Sequence, residues 1–254
     1  MSEVPAKKGN LGLSMLLNWP DDFVNKVICG DCLEVMKGMP DQCVDLVLTD
    51  PPYGINGGRG GGSKARGRGN YSGIFQDTRE YIRDMVIGAL KDCFRISRAT
   101  IITPGSKNLD LYPQYDSFGC FYQPAAMGFQ RWGMMDAQPI LFYGEYYLQG
   151  IKPMPCSFIL TEKPSCTEHP CSKPINAWIK LLERSCPKES IIFDPFLGSG
   201  TTAVAAIQTG RRFIGIEIDP GYCEIARRRI AQAQEQQDLF RKPAEDKQGE
   251  LLLL

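Results

Sequence analysis

The stretch from Val44 to Gly54, Val-Asp-Leu-Val-Leu-Thr-Asp-Pro-Pro-Tyr-Gly, limits the folds open to this chain more than any other. Val44 to Leu48 is a mostly apolar run of the kind buried in a sheet. Two prolines then forbid its continuation, because proline has no N–H to donate and pushes its neighbour out of the helical region. The strand must end at Asp50. A stiff turn follows, carrying a carboxylate, two proline-flanked carbonyls and an aromatic ring. This set suits a planar ligand with an exocyclic amino group: Asp50 and the Pro51 carbonyl accept its two N–H donors, and Tyr53 stacks on its face. Read in isolation, the stretch also fits an ordinary Asp-Pro-Pro turn after a strand.

A second stretch gives the turn a context. Ser190 to Asp194 reads as a buried strand. It leads into Pro195-Phe196-Leu197-Gly198-Ser199-Gly200-Thr201-Thr202-Ala203, an alanine-rich helix, and a further strand, Arg212 to Glu217, that ends on an acid. An α/β sheet holds a nucleoside with this arrangement: the glycines allow a sharp corner and close backbone approach, the helix start offers free N–H groups, and the acid bonds ribose hydroxyls. Glu217 follows Gly198 by about 20 positions, the spacing expected of such an acid. Gly198-x-Gly200-x-x-Ala203 also meets the dinucleotide pattern, so an oxidoreductase using a nicotinamide cofactor is a rival reading. Dinucleotide domains usually begin with this unit, whereas here it comes last, and the rival has no role for the Asp50 turn.

Around these two stretches the pattern alternates between strand and helix. Residues 1 to about 22 read as a lead-in, Val24 to Cys29 as a strand, and Leu33 to Lys37 as a short helix. Ile82, Met85, Val86, Ala89, Leu90, Cys93 and Phe94 recur at three- and four-residue spacing, the stripe of an amphipathic helix. Thr100 to Thr103 gives the next strand, and two runs near Phe121–Phe129 and Gln138–Tyr143 could form an antiparallel hairpin at a sheet edge. Residues 144–170 are irregular and proline-containing. Pro174 then starts a helix with Ile175, Trp178, Ile179 and Leu182 on one face. A last helix from about Pro220 is expected to bury Tyr222, Ile225, Ala226 and Ile230, with residues 236–254 as a flexible tail.

At 254 residues, 43% hydrophobic and 23% charged, the chain fits one sizeable soluble domain, spanning about 23–235. No apolar run approaches the roughly 20 residues needed to span a bilayer, and residues 1–10 lack a secretory pattern, so the expected location is the cytoplasm. Ten irregularly spaced cysteines read as reduced residues rather than a disulfide framework. Zinc could be offered ligands by Cys29 and Cys32 or by Cys166, His169 and Cys171 and would want four of them converging; the first pair flanks the Gly30-Asp31 turn, read as part of a cofactor site, and the expectation is no metal. Formal net charge is zero. Between Pro51 and Gln76, however, the only charged residues are Arg59, Lys64, Arg66 and Arg68, set in a glycine-rich run (57–70) that reads as a mobile loop contacting phosphate.

Taken together, the two stretches resemble the amino-group DNA methyltransferases that use S-adenosylmethionine. That family's catalytic motif, Asp/Asn/Ser-Pro-Pro-Tyr/Phe, stands here as Asp50-Pro51-Pro52-Tyr53. Its cofactor motif, Asp-Pro-Phe-x-Gly-x-Gly-Thr-Thr, stands as Asp194 through Thr202. Gly30-Asp31-Cys32-Leu33 and His169-Pro170-x-x-Lys173-Pro174 also look like family motifs. With the catalytic motif first, the order is similar to the β subgroup, a circular permutation of the plain methyltransferase fold. The resemblance implies a Rossmann-like α/β fold with a seven-stranded sheet ordered 3-2-1-4-5-7-6, strand seven antiparallel and helices on both faces.

The resemblance also implies residue roles. Asp50, Pro51, Pro52 and Tyr53 would be catalytic, with Tyr53 on the face of the extruded base. Glu217 would bond the cofactor ribose, Asp31 its adenine amino group, and Phe196 would pack on the adenosine. Asp194, Gly198 and Gly200 would face the methionine end, and Thr201, Thr202, Lys173 and Pro174 would line the same pocket. The expected substrate is double-stranded DNA methylated at adenine N6, because the motif opens with Asp, whereas the cytosine enzymes it resembles more often open with Ser. Cytosine N4 is the alternative; RNA, a protein glutamine and a non-enzymatic nucleic-acid binder are more distant ones. Sequence recognition is expected from residues 57–75 and a small insertion within 106–170, and a homodimer and a cognate restriction endonuclease are partners that such enzymes can have.

Overall fold

Alternation along the central strands decides the layering. In β2 (Val44–Thr49), Leu46 and Leu48 point to one face of the sheet and Val47 to the other, and all three are fully buried. A strand buried on both faces needs a helical layer on each side, which is the condition for a parallel α/β sheet. The computed structural model describes residues 17–54, 77–123, 128–130, 133–145, 155–160 and 173–241.

Ten strands are present among these residues. Besides β2 they are β1 (Lys26–Cys29), β3 (Ser97–Ile102), β4 (Ser117–Tyr122), β5 (Gly128–Gln130), β6 (Gly133–Met135), β7 (Ala137–Gly144), β8 (Phe158–Ile159), β9 (Ile191–Asp194) and β10 (Arg212–Glu217). Eight of them form one sheet in the order β1-β10-β9-β2-β3-β7-β4-β8, in which only β7 runs against the others. The first seven positions reproduce the expected order 3-2-1-4-5-7-6. The eighth, β8, extends the edge beyond the expected seven by pairing in parallel with β4, Phe121 opposite Phe158.

On one face lie α4 (Ile175–Ser185), α5 (Thr201–Gln208) and α6 (Pro220–Arg241). Trp178, Leu181 and Leu182 from α4, Ala203 to Ile207 from α5, and Ala226, Ile230 and Ala233 from α6 enclose Leu46, Leu48, Ile192 and Phe213. The opposite face is covered by α1 (Cys32–Met36), α2 (Arg79–Tyr81), a π turn at Ile82–Val86 and α3 (Ile87–Ile96). There Val35, Met36, Ala89 and Cys93 pack on Val47, Phe193 and Ile214, while Ile82, Val86 and Leu90 pack on Ile102 and Leu141.

Several expectations are corrected. The hairpin pairs 117–122 with 137–144, not 121–129 with 138–143, because the residues between them carry a separate ribbon of β5 and β6. In the stripe from Ile82 to Phe94, Met85 and Phe94 are only half-buried. The buried face of α4 is centred on Ala177, Trp178, Leu181 and Leu182, with Ile175 and Ile179 at its margin. In α6 the fully buried positions near the start are Cys223 and Ala226, while Tyr222 and Ile225 are half-buried. The tail begins later than expected, since α6 continues to Arg241. Residues 57–70 and most of 144–172 lie outside the described residues.

Candidate active site

β2 and β9 are neighbours in parallel register, Leu46 opposite Ile192 and Val47 opposite Phe193. From β9 the chain order proceeds to β10 on one side, and from β2 to β3 on the other, so the carboxyl ends of these two strands flank the switch point where an α/β sheet opens a crevice. Asp50 leaves β2 and Asp194 closes β9 at this crevice. One open cleft is lined by both: Asp50, Pro51, Pro52 and Tyr53 on one wall, Asp194, Phe196, Gly198, Thr201, Thr202 and Glu217 on the other.

The Asp50 turn is braced from several elements. Asn108 Nδ2 donates to the Tyr53 carbonyl at 2.7 Å, and the Gly54 N–H donates to Asp77 at 2.5 Å. Gly54 has φ +67°, and a Cβ there would stand 2.6 Å from the Asn108 amide and 2.9 Å from Ile82, so a side chain at this position would be strained and would displace the brace. After β3 the chain passes directly beneath Tyr53: a Cβ on Gly105 would lie 2.7 Å from the Tyr53 side chain. The ring is thereby held upright with its hydroxyl 2.6 Å from Asp50 Oδ1.

The carboxylate of Asp50 is fully engaged. Thr103 Oγ1 donates to Oδ1 at 2.5 Å, and Lys173 Nζ pairs with Oδ2 at 2.5 Å. Lys173 also reaches the Tyr53 hydroxyl at 2.5 Å and stands 4.9 Å from the centroid of its ring. Gln138, on β7, donates to that hydroxyl as well. Lys173 and Asp50 are both largely withdrawn from water, so this ion pair is strengthened by a lower local dielectric.

The opposite wall is built on the glycine corner. Gly198 and Gly200 both have positive φ, 54° and 86°. Glu217, the last residue of β10, accepts the Gly198 N–H at 2.8 Å through one oxygen and the Asp219 N–H at 2.9 Å through the other. Burial raises its pKa above the usual glutamate value. Asp194, 3% exposed, accepts from Thr49 Oγ1 and Thr202 Oγ1, both at 2.6 Å, and from the Phe196 N–H at 3.0 Å. Its burial outweighs these bonds and lifts its pKa to about 6. Trp178 Nε1 donates to Thr202 at 2.9 Å, completing a buried chain from α4 through Thr202 and Asp194 to Thr49 on β2. That chain ties the two walls together.

Asp50 to Tyr53, Lys173, Asp194, Phe196, Gly198, Thr201, Thr202 and Glu217 all line the cleft. Lys173 reaches the Asp50 side of it rather than the glycine corner. Asp194 spends its oxygens on Thr49, Thr202 and the Phe196 N–H, so its part is to hold the walls. Three residues are not among those lining the cleft: Asp31 caps α1 by accepting the Leu33 N–H, Pro174 is the buried residue before α4, and Gly200 backs onto Ala226. Arg59, Lys64, Arg66 and Arg68 lie outside the described residues, as do Cys166, His169 and Cys171. Among the described residues no group of three metal-ligating side chains converges.

Sequence reasoning missed Tyr81, Trp178 and Tyr222, which line the cleft, and Asp77, Thr103, Asn108 and Gln138, which brace it. Periodicity places Trp178 on a core stripe and Tyr222 on a buried face; both also reach the crevice. Gln138 carried a signal, as a polar residue opening an otherwise apolar strand.

Comparison with known proteins agrees with this architecture. The family described as DNA methylase matches residues 146–228. YubD of Escherichia coli (strain K12), a protein named as a methylase, is 31% identical over 221 residues, covering 83% of this chain and 92% of its own. YhdJ of the same organism, named a DNA adenine methyltransferase, is 25% identical over 270 residues, covering 83% of this chain and 85% of its own. Among solved structures, the complex of M1.HpyAVI with S-adenosylmethionine superposes with a TM-score of 0.58 at 19% identity, over 81% of this chain and 98% of the other. The chain belongs to the DNA methylase family.

Proposed function

We propose that this protein transfers a methyl group from S-adenosylmethionine to the N6 amine of an adenine rotated out of a DNA duplex. The observation that carries the reading is the shared cleft, with a carboxylate turn on one wall and a glycine corner backed by an acid on the other. The name borne by YhdJ and the Asp that opens the Asp50 turn both favour adenine.

The residues present fit the cofactor. Glu217 accepts backbone N–H groups through both oxygens and keeps lone-pair capacity for ribose hydroxyls, and Phe196, Tyr81 and Tyr222 provide aromatic surface in the same cleft. When bound, the cofactor supplies a methyl group activated on a sulfonium.

An aromatic amine is a poor nucleophile because its lone pair is delocalised into the ring. Asp50 and the Pro51 carbonyl accept its two N–H groups, which draws the nitrogen toward a tetrahedral shape and aims its lone pair across the cleft. Tyr53 gives the extruded base an aromatic partner, offsetting an unstacking cost of a few kcal/mol. The amine must first take the place of the Lys173 ammonium on Asp50 Oδ2. Arg59, Lys64, Arg66 and Arg68 supply the phosphate contacts.

The test is transfer of labelled methyl groups to DNA, followed by mass spectrometry of the digested nucleosides. N6-methyladenine is expected, and Asp50→Ala should lower transfer more than about 100-fold while calorimetry still registers cofactor binding. Wild-type activity in that variant would sink the assignment of Asp50, and N4-methylcytosine as the sole product would move the target to cytosine.

A further inference from the structure

Gln138 is 7% exposed and sits two strands away from Asp50, on the one antiparallel strand of the sheet. A buried amide in a strand that continues Ile140-Leu141-Phe142 is costly unless its donors are used. Its Nε2 faces the Tyr53 hydroxyl, Asp50 Oδ1 at 3.4 Å and the Thr103 carbonyl at 3.4 Å. Two of these three are obligate acceptors, so the atom turned toward them must be the nitrogen.

The consequence falls on Tyr53. Its hydroxyl has one proton to give, and both Gln138 and Lys173 approach it as donors. The phenolic proton is then directed to Asp50 Oδ1, 2.6 Å away. With Thr103 also donating to Oδ1, that oxygen is filled, and Oδ2 carries the Lys173 ammonium. The ammonium stands beside the Tyr53 ring and on Oδ2, the two features an amino-bearing base would use.

We propose that Gln138 is a positioning residue for methyl transfer. By donating into the Tyr53 hydroxyl it directs the phenolic proton to Oδ1 of Asp50 and leaves Oδ2 as the oxygen presented to the target amine. Thr103 assists from β3. The inference rests on the methyl-transfer reading above and adds to it the residue that sets the orientation of the carboxylate.

A double-mutant cycle tests it. Gln138→Met keeps the shape and removes the donors, and Tyr53→Phe removes the hydroxyl through which Gln138 acts. Gln138→Met should lower kcat about tenfold, with the cofactor Kd changed less than about twofold. In the Tyr53→Phe background the same substitution should change kcat by less than about twofold, because the intermediary is already gone. An unchanged kcat in Gln138→Met, or the same loss in both backgrounds, overturns the proposal. Should Gln138→Met fail to bind cofactor, Gln138→Glu decides. A glutamate accepts the Tyr53 proton instead of donating, so wild-type kcat in that variant is equally fatal. Absence of transfer by the wild-type protein would instead be a failure of the methyl-transfer reading, and is seen before any variant is made.

Discussion

Asp194 shows how a single residue can be chosen for architecture at a cost in stability. Its carboxylate is buried, held by two hydroxyls and one N–H, and its pKa is lifted from 3.8 to about 6. A carboxyl that binds its proton more tightly when folded contributes most below its unfolded pKa and loses that contribution as pH rises toward the folded value. The sign here is therefore opposite to that of a salt-bridged carboxylate. Between about pH 4 and pH 6 this residue should lower unfolding free energy by about 3 kcal/mol, with no further change above. Asp194→Asn should flatten that interval, and the difference between the two proteins' denaturant midpoints, followed across it, measures the effect. A difference independent of pH would show that burial does not raise the Asp194 pKa above its unfolded value.

At the scale of elements, the glycine corner depends on α6. Arg229 Nη1 holds the Ser199 carbonyl at 2.5 Å and its hydroxyl at 3.0 Å, and a Cβ on Gly200 would stand 3.1 Å from that of Ala226. Gly200 also has φ +86°, where an L side chain adds strain. Gly200→Ala should therefore cost about 1–3 kcal/mol from strain and overpacking together, and lower the melting temperature by several degrees. The cofactor should bind more weakly as well, since the corner cannot close without moving α6. Calorimetry beside thermal melting separates the two effects, and an unchanged melting temperature would mean that α6 yields freely.

For the whole molecule, the sheet order matters more than any one contact. Because β9 and β2 are adjacent, residues 144 positions apart in the chain, Asp50 and Asp194, end on the same crevice, and the Thr49–Asp194 bond makes their alignment part of the fold. A ligand that binds across this crevice stabilises the whole domain by mass action. S-adenosylmethionine at about 100 times its Kd should add about 2.7 kcal/mol and raise the melting temperature by about 5–10 °C. A nicotinamide dinucleotide at equal concentration should leave it unmoved. The reverse pattern would return the glycine corner to the dinucleotide reading.

Much of this was legible in the chain itself. Leu46, Val47 and Leu48 had to be a strand buried on both faces, the prolines had to stop it at Asp50, and the glycines had to turn after Asp194, since each follows from local sterics and periodicity. Resemblance supplied the order of the seven strands. What only the tertiary structure decided were the partners: that Lys173 lies on Asp50, that Gln138 and Thr103 reach it from β7 and β3, and that Asp194 joins the two walls. Such pairings depend on which strands remote in sequence lie side by side and in what register, and periodicity fixes only which face each side chain takes.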